Sequence, residues 1–364
     1  MMVTMKRSAV VMISMMMLLF AAACGSGGTN ETATTNTPAP ATEETTSPPA
    51  NETGAEAAPQ EITTVKFSEV IRSIFYAPHY VAMSKGFFEE EGLNVDMNTS
   101  QGSDKGAAAL LAGTADISLV GPETAIFIHN QEGNKKLKIF YQLTMKDGSF
   151  LLSRTKADSF KWSDLSGKTV ISWRPGSAPQ MVFSSTLKQE GVADANVITN
   201  IAAPAMAAAF TGGQGDYIQV FEPLASTLIN EGKAYYAASM GETFGSFPET
   251  SYVATSEYIE KNPAVIQKFV NAVAKGREWL NTASDDEIAE ALAPFFEGTS
   301  KELIIQSVNR YKQQDTWPAK PELTAEAFEK LQGVLIENGV LKPEQKIANM
   351  TDVVDMTFVG KIGQ

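Results

Sequence analysis

The chain has 364 residues, a formal net charge of −13, one cysteine and two histidines. An acidic balance of this size works against nucleic acid and anionic lipid surfaces as partners. A single thiol rules out an intramolecular disulfide, and so few imidazoles and thiols provide no material for a Cys/His metal cluster or a histidine-centred triad.

Lys6 and Arg7 precede an uncharged apolar run from Ala9 to Ala23 that stops at Cys24-Gly25. The run is shorter than the ~20 residues of a spanning helix and reads as an export signal. Ala21, Ala22 and Ala23 directly before a cysteine resemble the bacterial lipoprotein cleavage box. That resemblance implies a signal peptide over residues 1–24, lipidation of Cys24, and attachment to the extracytoplasmic face of the cell membrane by the lipid alone. Residues 25–61 are Thr, Ala, Pro, Glu, Asn and Ser with six glutamates and no Lys or Arg. Such a composition buries too little apolar surface to offset chain entropy, so it reads as a flexible acidic tether.

Residues 62–364 exceed the size at which one core stops growing, which predicts two lobes. "TTVKFSEV" reads as a strand, Pro78 to Glu90 as a helix, and "LNVDMNTS" after the capping Gly92 as a second strand. A repeat follows. "AAALLAGTADISLVGPETA" from Ala107 recurs in outline as "AMAAAFTGGQGDYIQVFEPLA" from Ala205, with Gly113 and Asp116 matching Gly213 and Asp216, and Pro122 and Pro223 each opening a helix. Between the copies, strand "KTVISW" and helix "APQMVFSSTLKQEG" continue the alternation, which predicts mostly parallel sheets covered on both faces.

The last third is helical in spacing, with capping boxes at Ser284/Glu287 and Thr299/Glu302, and is expected to pack back on one lobe. The expected boundaries give a discontinuous first lobe, 62–153 and 254–364, and a second lobe, 154–253. Two crossings between lobes make a hinge.

"YAPHYVAMSKGFFEEEGL", "ALLAGTADISLVGP", "DLSGKTV" and "GDYIQVFEP" resemble the solute-binding proteins of ABC importers. Within them they look like the group of receptors for thiamine pyrimidine precursors and for nitrate, sulfonates and taurine. The resemblance implies a two-lobed type II periplasmic-binding-protein fold, a monomer that closes on a small molecule in the interlobe cleft, delivery to membrane permease subunits, and no cofactor. A rival from another class is the pyrimidine synthases that share this fold; their cysteine-rich motif is missing here. A third reading is a sensory or adhesive lipoprotein that keeps the cleft.

Ligands of open α/β sheets sit beyond the carboxyl ends of the strands, which nominates four stretches. Tyr76 and His79 follow the first strand and either stack on a planar ligand or pack beneath the helix start. Gly121, Pro122 and Glu123 offer helix-start N–H groups. Trp173 and Arg174 supply a ring and a cation, while Gly176 and Ser177 allow close backbone approach. Glu222 at a strand end either pairs with a ligand amine, which disfavours nitrate and sulfonate, or is a glutamate held by a helix dipole. Together these residues favour a flat nitrogen heterocycle; Arg174 is the feature that favours an oxyanion.

Overall fold

A computed structural model describes residues 62–364. The expected leader, Cys24 and the tether lie outside the described residues. Among the described residues no helix is long and apolar enough to cross a membrane.

Among the described residues ten strands form two five-stranded sheets. They are β1 (Thr63–Glu69), β2 (Leu93–Thr99), β3 (Ile117–Val120), β4 (Leu137–Lys146), β5 (Ser149–Ser153), β6 (Thr169–Ile171), β7 (Asn196–Ile198), β8 (Tyr217–Phe221), β9 (Tyr235–Ser239) and β10 (Ser246–Thr255). The orders are β2-β1-β3-β10-β4 and β7-β6-β8-β5-β9. In each sheet three parallel strands meet an antiparallel one contributed by the other half of the chain: β10 beside β3 in the first, β5 beside β8 in the second.

The repeat is structural. Asp116 takes the Lys66 N–H on its carboxylate at 2.9 Å, tying the start of β3 to β1. Asp216 takes the Thr169 N–H at 2.9 Å, tying β8 to β6 in the same way. Gly113 and Gly213 turn the chain at φ +74° and +101°, where a side chain is disfavoured.

The crossings lie between β4 and β5 and between β9 and β10, that is at 146–149 and 239–246, several residues before the expected 153/154 and 253/254. "FLLS" reads as a continuation of the first block, and the polar turn signal comes only after it. The switch itself uses Gly148, whose added Cβ would lie 2.3 Å from the Phe75 ring. The helix expected over Pro78 to Glu90 is two helices, Ala77–Ser84 and Phe87–Glu90, parted at Gly86 (φ +73°).

The C-terminal helices do not keep to one lobe. Helix Pro263–Thr282 packs on Ala77–Ser84 at Gly276, where a Cβ would meet the Pro78 carbonyl oxygen at 2.3 Å. Helix Ala325–Glu337 reaches the second half, with Glu337 accepting from the Ser185 hydroxyl at 2.9 Å and its carbonyl from Lys188 Nζ at 2.7 Å. Helix Lys301–Gln313 ties both halves through Tyr311, whose hydroxyl donates to the Gly148 carbonyl at 2.9 Å. The Ser284/Glu287 capping box is formed. The next cap is Ser300, one residue past the expected Thr299, because the helix starts at Lys301.

Candidate functional site

A cavity of about 380 Å³ lies between the two sheets. Its walls come from the loops after β1, β2 and β3 in the first half and after β6, β7 and β8 in the second, the position where open parallel sheets hold ligands. β10 adds Glu249 and Thr250.

Tyr76 is in the wall, 3% exposed, with its ring 5.6 Å from Phe75. Burial, then the charges of Glu69 and Glu249, push its phenol well above the usual range, so it stands as a neutral donor. Opposite in the chain, Trp173 is half-buried and edge-on to Phe221 at 5.0 Å, and its Nε1–H is buried without a hydrogen-bond partner. Such orphaned donors are rare in folded proteins and invite an acceptor.

Gly121 and Glu123 both line the cavity and explain one another. The Glu123 carboxyl folds back over Gly121 so closely that a Cβ there would lie 2.2 Å from Oε2. Only glycine leaves that space. Burial pushes Glu123 up to about 7, partly offset by its own N–H, the Arg174 charge and the Ala178 N–H. The helix start that was expected to offer its N–H groups is thus occupied by the chain's own acid; helix Glu123–His129 is also only seven residues long. Pro122 precedes that helix without lining the cavity.

Arg174 sits at the cavity edge, with Nε 3.3 Å from Asp104 Oδ1 across the two halves, and both side chains are well exposed. Ser177 lines the cavity and caps helix Ala178–Gln189 in extended backbone, its hydroxyl donating to the Arg174 carbonyl at 2.8 Å. Gly176 turns the loop at φ +74° and does not line the cavity.

Two further expected residues lie outside the cavity wall. His79 is 1% exposed in the core, stacked on Phe67 at 4.2 Å, with Nδ1 2.9 Å from the Tyr252 hydroxyl. Burial, then the Arg72 charge, lower its pKa to about 3, so the imidazole is neutral and structural. Glu222 does not line this cavity; it borders a neighbouring recess with Arg72. Its carboxylate is saturated by Arg310 Nη1 at 2.6 Å, the Ser226 N–H at 2.9 Å and the Ser226 hydroxyl at 2.8 Å. Its backbone N–H donates to Tyr311 and its carbonyl accepts from Ser73 Oγ and the Ile74 N–H. Glu222 is a strut of the hinge region.

The residue that the sequence reading missed is Glu249, 3% exposed, with Oε2 buried and unpartnered. Burial, then the charges of Asp147 and Glu123, push it well above the usual carboxylate range. Its signal in the sequence is an acid inside "SFPETSYVAT", a strand otherwise free of charge. Gln101, also lining the cavity, holds φ +62° without being glycine, a strain that collects at ligand sites. Among the described residues no group of three or more His, Cys, Asp or Glu is arranged to hold a metal.

The NMT1/THI5-like family model matches residues 74–285. The protein YtlA of Bacillus subtilis (strain 168) is 40% identical over 285 residues, covering 78% of this chain and 85% of its own. The alkanesulfonate-binding protein SsuA from Xanthomonas axonopodis pv. citri, solved bound to MOPS, superposes with a TM-score of 0.66 at 16% identity, covering 81% of this chain and 99% of its own. The periplasmic nitrate-binding protein NrtA from Synechocystis PCC 6803 gives 0.65 at 19% identity, covering 81% and 86%. At such identities the two solved structures establish the shared periplasmic-binding-protein fold.

Proposed function

Since the chain belongs to the NMT1/THI5-like family and is a solute-binding protein of the ABC-importer type, we propose that its solute is a small planar nitrogen heterocycle, such as a pyrimidine precursor of thiamine. The protein captures this ring between its two halves, as an exported monomer anchored through Cys24, and hands it to permease subunits without altering it.

One observation carries this reading: the cavity joins aromatic walls at Tyr76, Trp173 and Phe221 to a buried carboxyl, Glu123, that has an oxygen free of partners. Flat rings stack on such walls, and a carboxyl in an apolar wall selects N–H donors. His79, locked in the core as a neutral ring, supports binding over catalysis.

The second reading is an oxyanion receptor, favoured by Arg174 and by the nitrate and alkanesulfonate named for the structural relatives. Against it, Arg174 is already paired with Asp104, and a buried acid stands where an anion would be held.

A thermal-shift screen of the full chain against 4-aminopyrimidine, thiamine, nitrate, taurine and ethanesulfonate separates the two, because binding to the native state raises apparent stability. A shift with the heterocycles alone is expected. A shift confined to nitrate or the sulfonates overturns the proposal in favour of the oxyanion.

A further inference from the structure

A heterocycle receptor needs one buried carboxyl at most, yet the wall of this cavity has two. β10 runs antiparallel beside β3 with Ser251 opposite Val120, so the residue two before Ser251 and the residue three after Val120 lie at the same end of this strand pair, and both line the cavity. These are Glu249 and Glu123. They are 3% and 1% exposed, both line the cavity, and Oε2 of each is buried without a partner. Asp147 stands behind Glu249, one oxygen accepting from the Ser149 N–H at 2.7 Å and the other unpartnered. The remaining charged and titratable groups at this cavity are Arg174, paired with Asp104 at the edge, the exposed Lys105, and the neutral phenol of Tyr76.

Neighbouring acids in a dry wall repel one another when charged, and as neutral acids they still leave acceptors unmet. A protein that needed only packing here is better served by two apolar side chains. What satisfies both oxygens is a partner that brings two N–H groups and a positive charge.

We propose that Glu123 and Glu249 read the ligand as a pair, taking a flat cation with two adjacent N–H donors of the amidinium type and refusing oxyanions. This rests on the heterocycle reading above and names the charge and donor pattern of that ligand. Trp173 Nε1–H supplies the complementary donor for an acceptor on the ring. Burial favours the neutral form of both acids and an arriving cation favours the charged form, so binding releases protons to solvent.

The test is calorimetric titration of the full chain with three probes of one shape: benzamidine, a cation with two N–H groups, benzamide, which is neutral, and benzoate, an anion. 4-Aminopyrimidine, nitrate and taurine complete the set. Benzamidine is expected to bind at least about tenfold more tightly than benzamide, and benzoate not at all. The observed heat should differ between phosphate and Tris buffers, because the displaced proton is taken up by the buffer. Glu123→Gln and Glu249→Gln should each weaken benzamidine by about tenfold and benzamide by less. Proton release is read on the unaltered protein and decides the matter where a variant fails to fold. Equal affinity for benzamidine and benzamide with no buffer dependence overturns the acid pair while leaving the heterocycle receptor standing. Binding by nitrate or taurine alone, or by none of the flat probes, overturns both.

Discussion

Glu123 and Glu222 stand where a central strand meets the next helix, one in each copy of the internal repeat, Glu123 just after Pro122 and Glu222 just before Pro223. Around them the copies agree, down to Asp116 and Asp216 bonding the same backbone position of their sheets. The glutamates differ in what meets them. Glu222 has Arg310 and Ser226 on its carboxylate and three further backbone bonds to both halves of the molecule. Glu123 retains an oxygen without any partner, against a cavity. A buried acid with its partners supplied holds structure; a buried acid at the corresponding strand-to-helix junction, left short of partners, is available to a ligand.

The largest effect should come from breaking the saturated site. Arg310→Ala leaves the fully buried Glu222 carboxylate without its cation and is expected to cost roughly 3 kcal/mol, read as a lowered urea midpoint. Glu123→Gln, which removes a buried acid with one unpartnered oxygen, should cost nothing measurable or stabilise. Equal losses for the two variants erase the contrast.

Acid titration sharpens it. Glu123 has a pKa of about 7 when folded against an ordinary 4.5, so the folded chain holds a proton that the unfolded chain has released. Its contribution is full below pH 4.5 and is lost as pH rises through about 7. The loss is on the order of 3 kcal/mol. Asp147, raised to about 6 by burial, adds to the same slope. Urea denaturation from pH 5 to 8 should therefore show falling stability, and a flatter profile in Glu123→Gln. An unchanged slope in that variant means that water reaches Glu123 and the cavity wall is open there.

A smaller effect falls on the ring that faces the ligand. Trp173→Ala should weaken 4-aminopyrimidine by about tenfold, with little change in the urea midpoint, since Trp173 is only half-buried. Trp173→Phe retains the ring and loses only the orphaned N–H, so its loss should be smaller. If Phe is as damaging as Ala, the N–H and not the ring does the binding.

The halves of the site were unequally legible. Tyr76, Gly121, Glu123, Trp173 and Ser177 follow parallel strands, where a carboxyl-end rule and local glycine and proline signals find them. Glu249 escaped because β10 enters its sheet antiparallel, so the end that meets the cavity is its beginning. Glu222 obeyed the rule and misled it, because its partners Arg310 and Tyr311 come from a helix some 88 residues on, beyond any local pattern. The crossings were displaced for a related reason: β5 and β10 are exchanged between sheets, and an apolar strand reads the same in either. The C-terminal helices were legible as helices, but which half each one covers depends on tertiary contacts such as that of Glu337 with Ser185.

His79 carries the smallest expected effect and the clearest division between neighbours. It lies three residues after Tyr76, yet Tyr76 belongs to the 3-10 turn Ile74–Tyr76 that precedes the helix, so the two do not share one helical face. One lines the cavity, and the other is stacked on Phe67 and bonded to Tyr252. His79→Phe retains an aromatic ring in that stack and forfeits the bond to the Tyr252 hydroxyl, a loss of about 1 kcal/mol. At pH 7.5, well above its pKa of about 3, no charge is gained or lost. Ligand affinity should therefore be unchanged by His79→Phe and lowered by Tyr76→Ala, both measured by titration with 4-aminopyrimidine. A loss of affinity in His79→Phe comparable to that in Tyr76→Ala means that the imidazole reaches the ligand, through a shift of the helix start that opens the core toward the cavity.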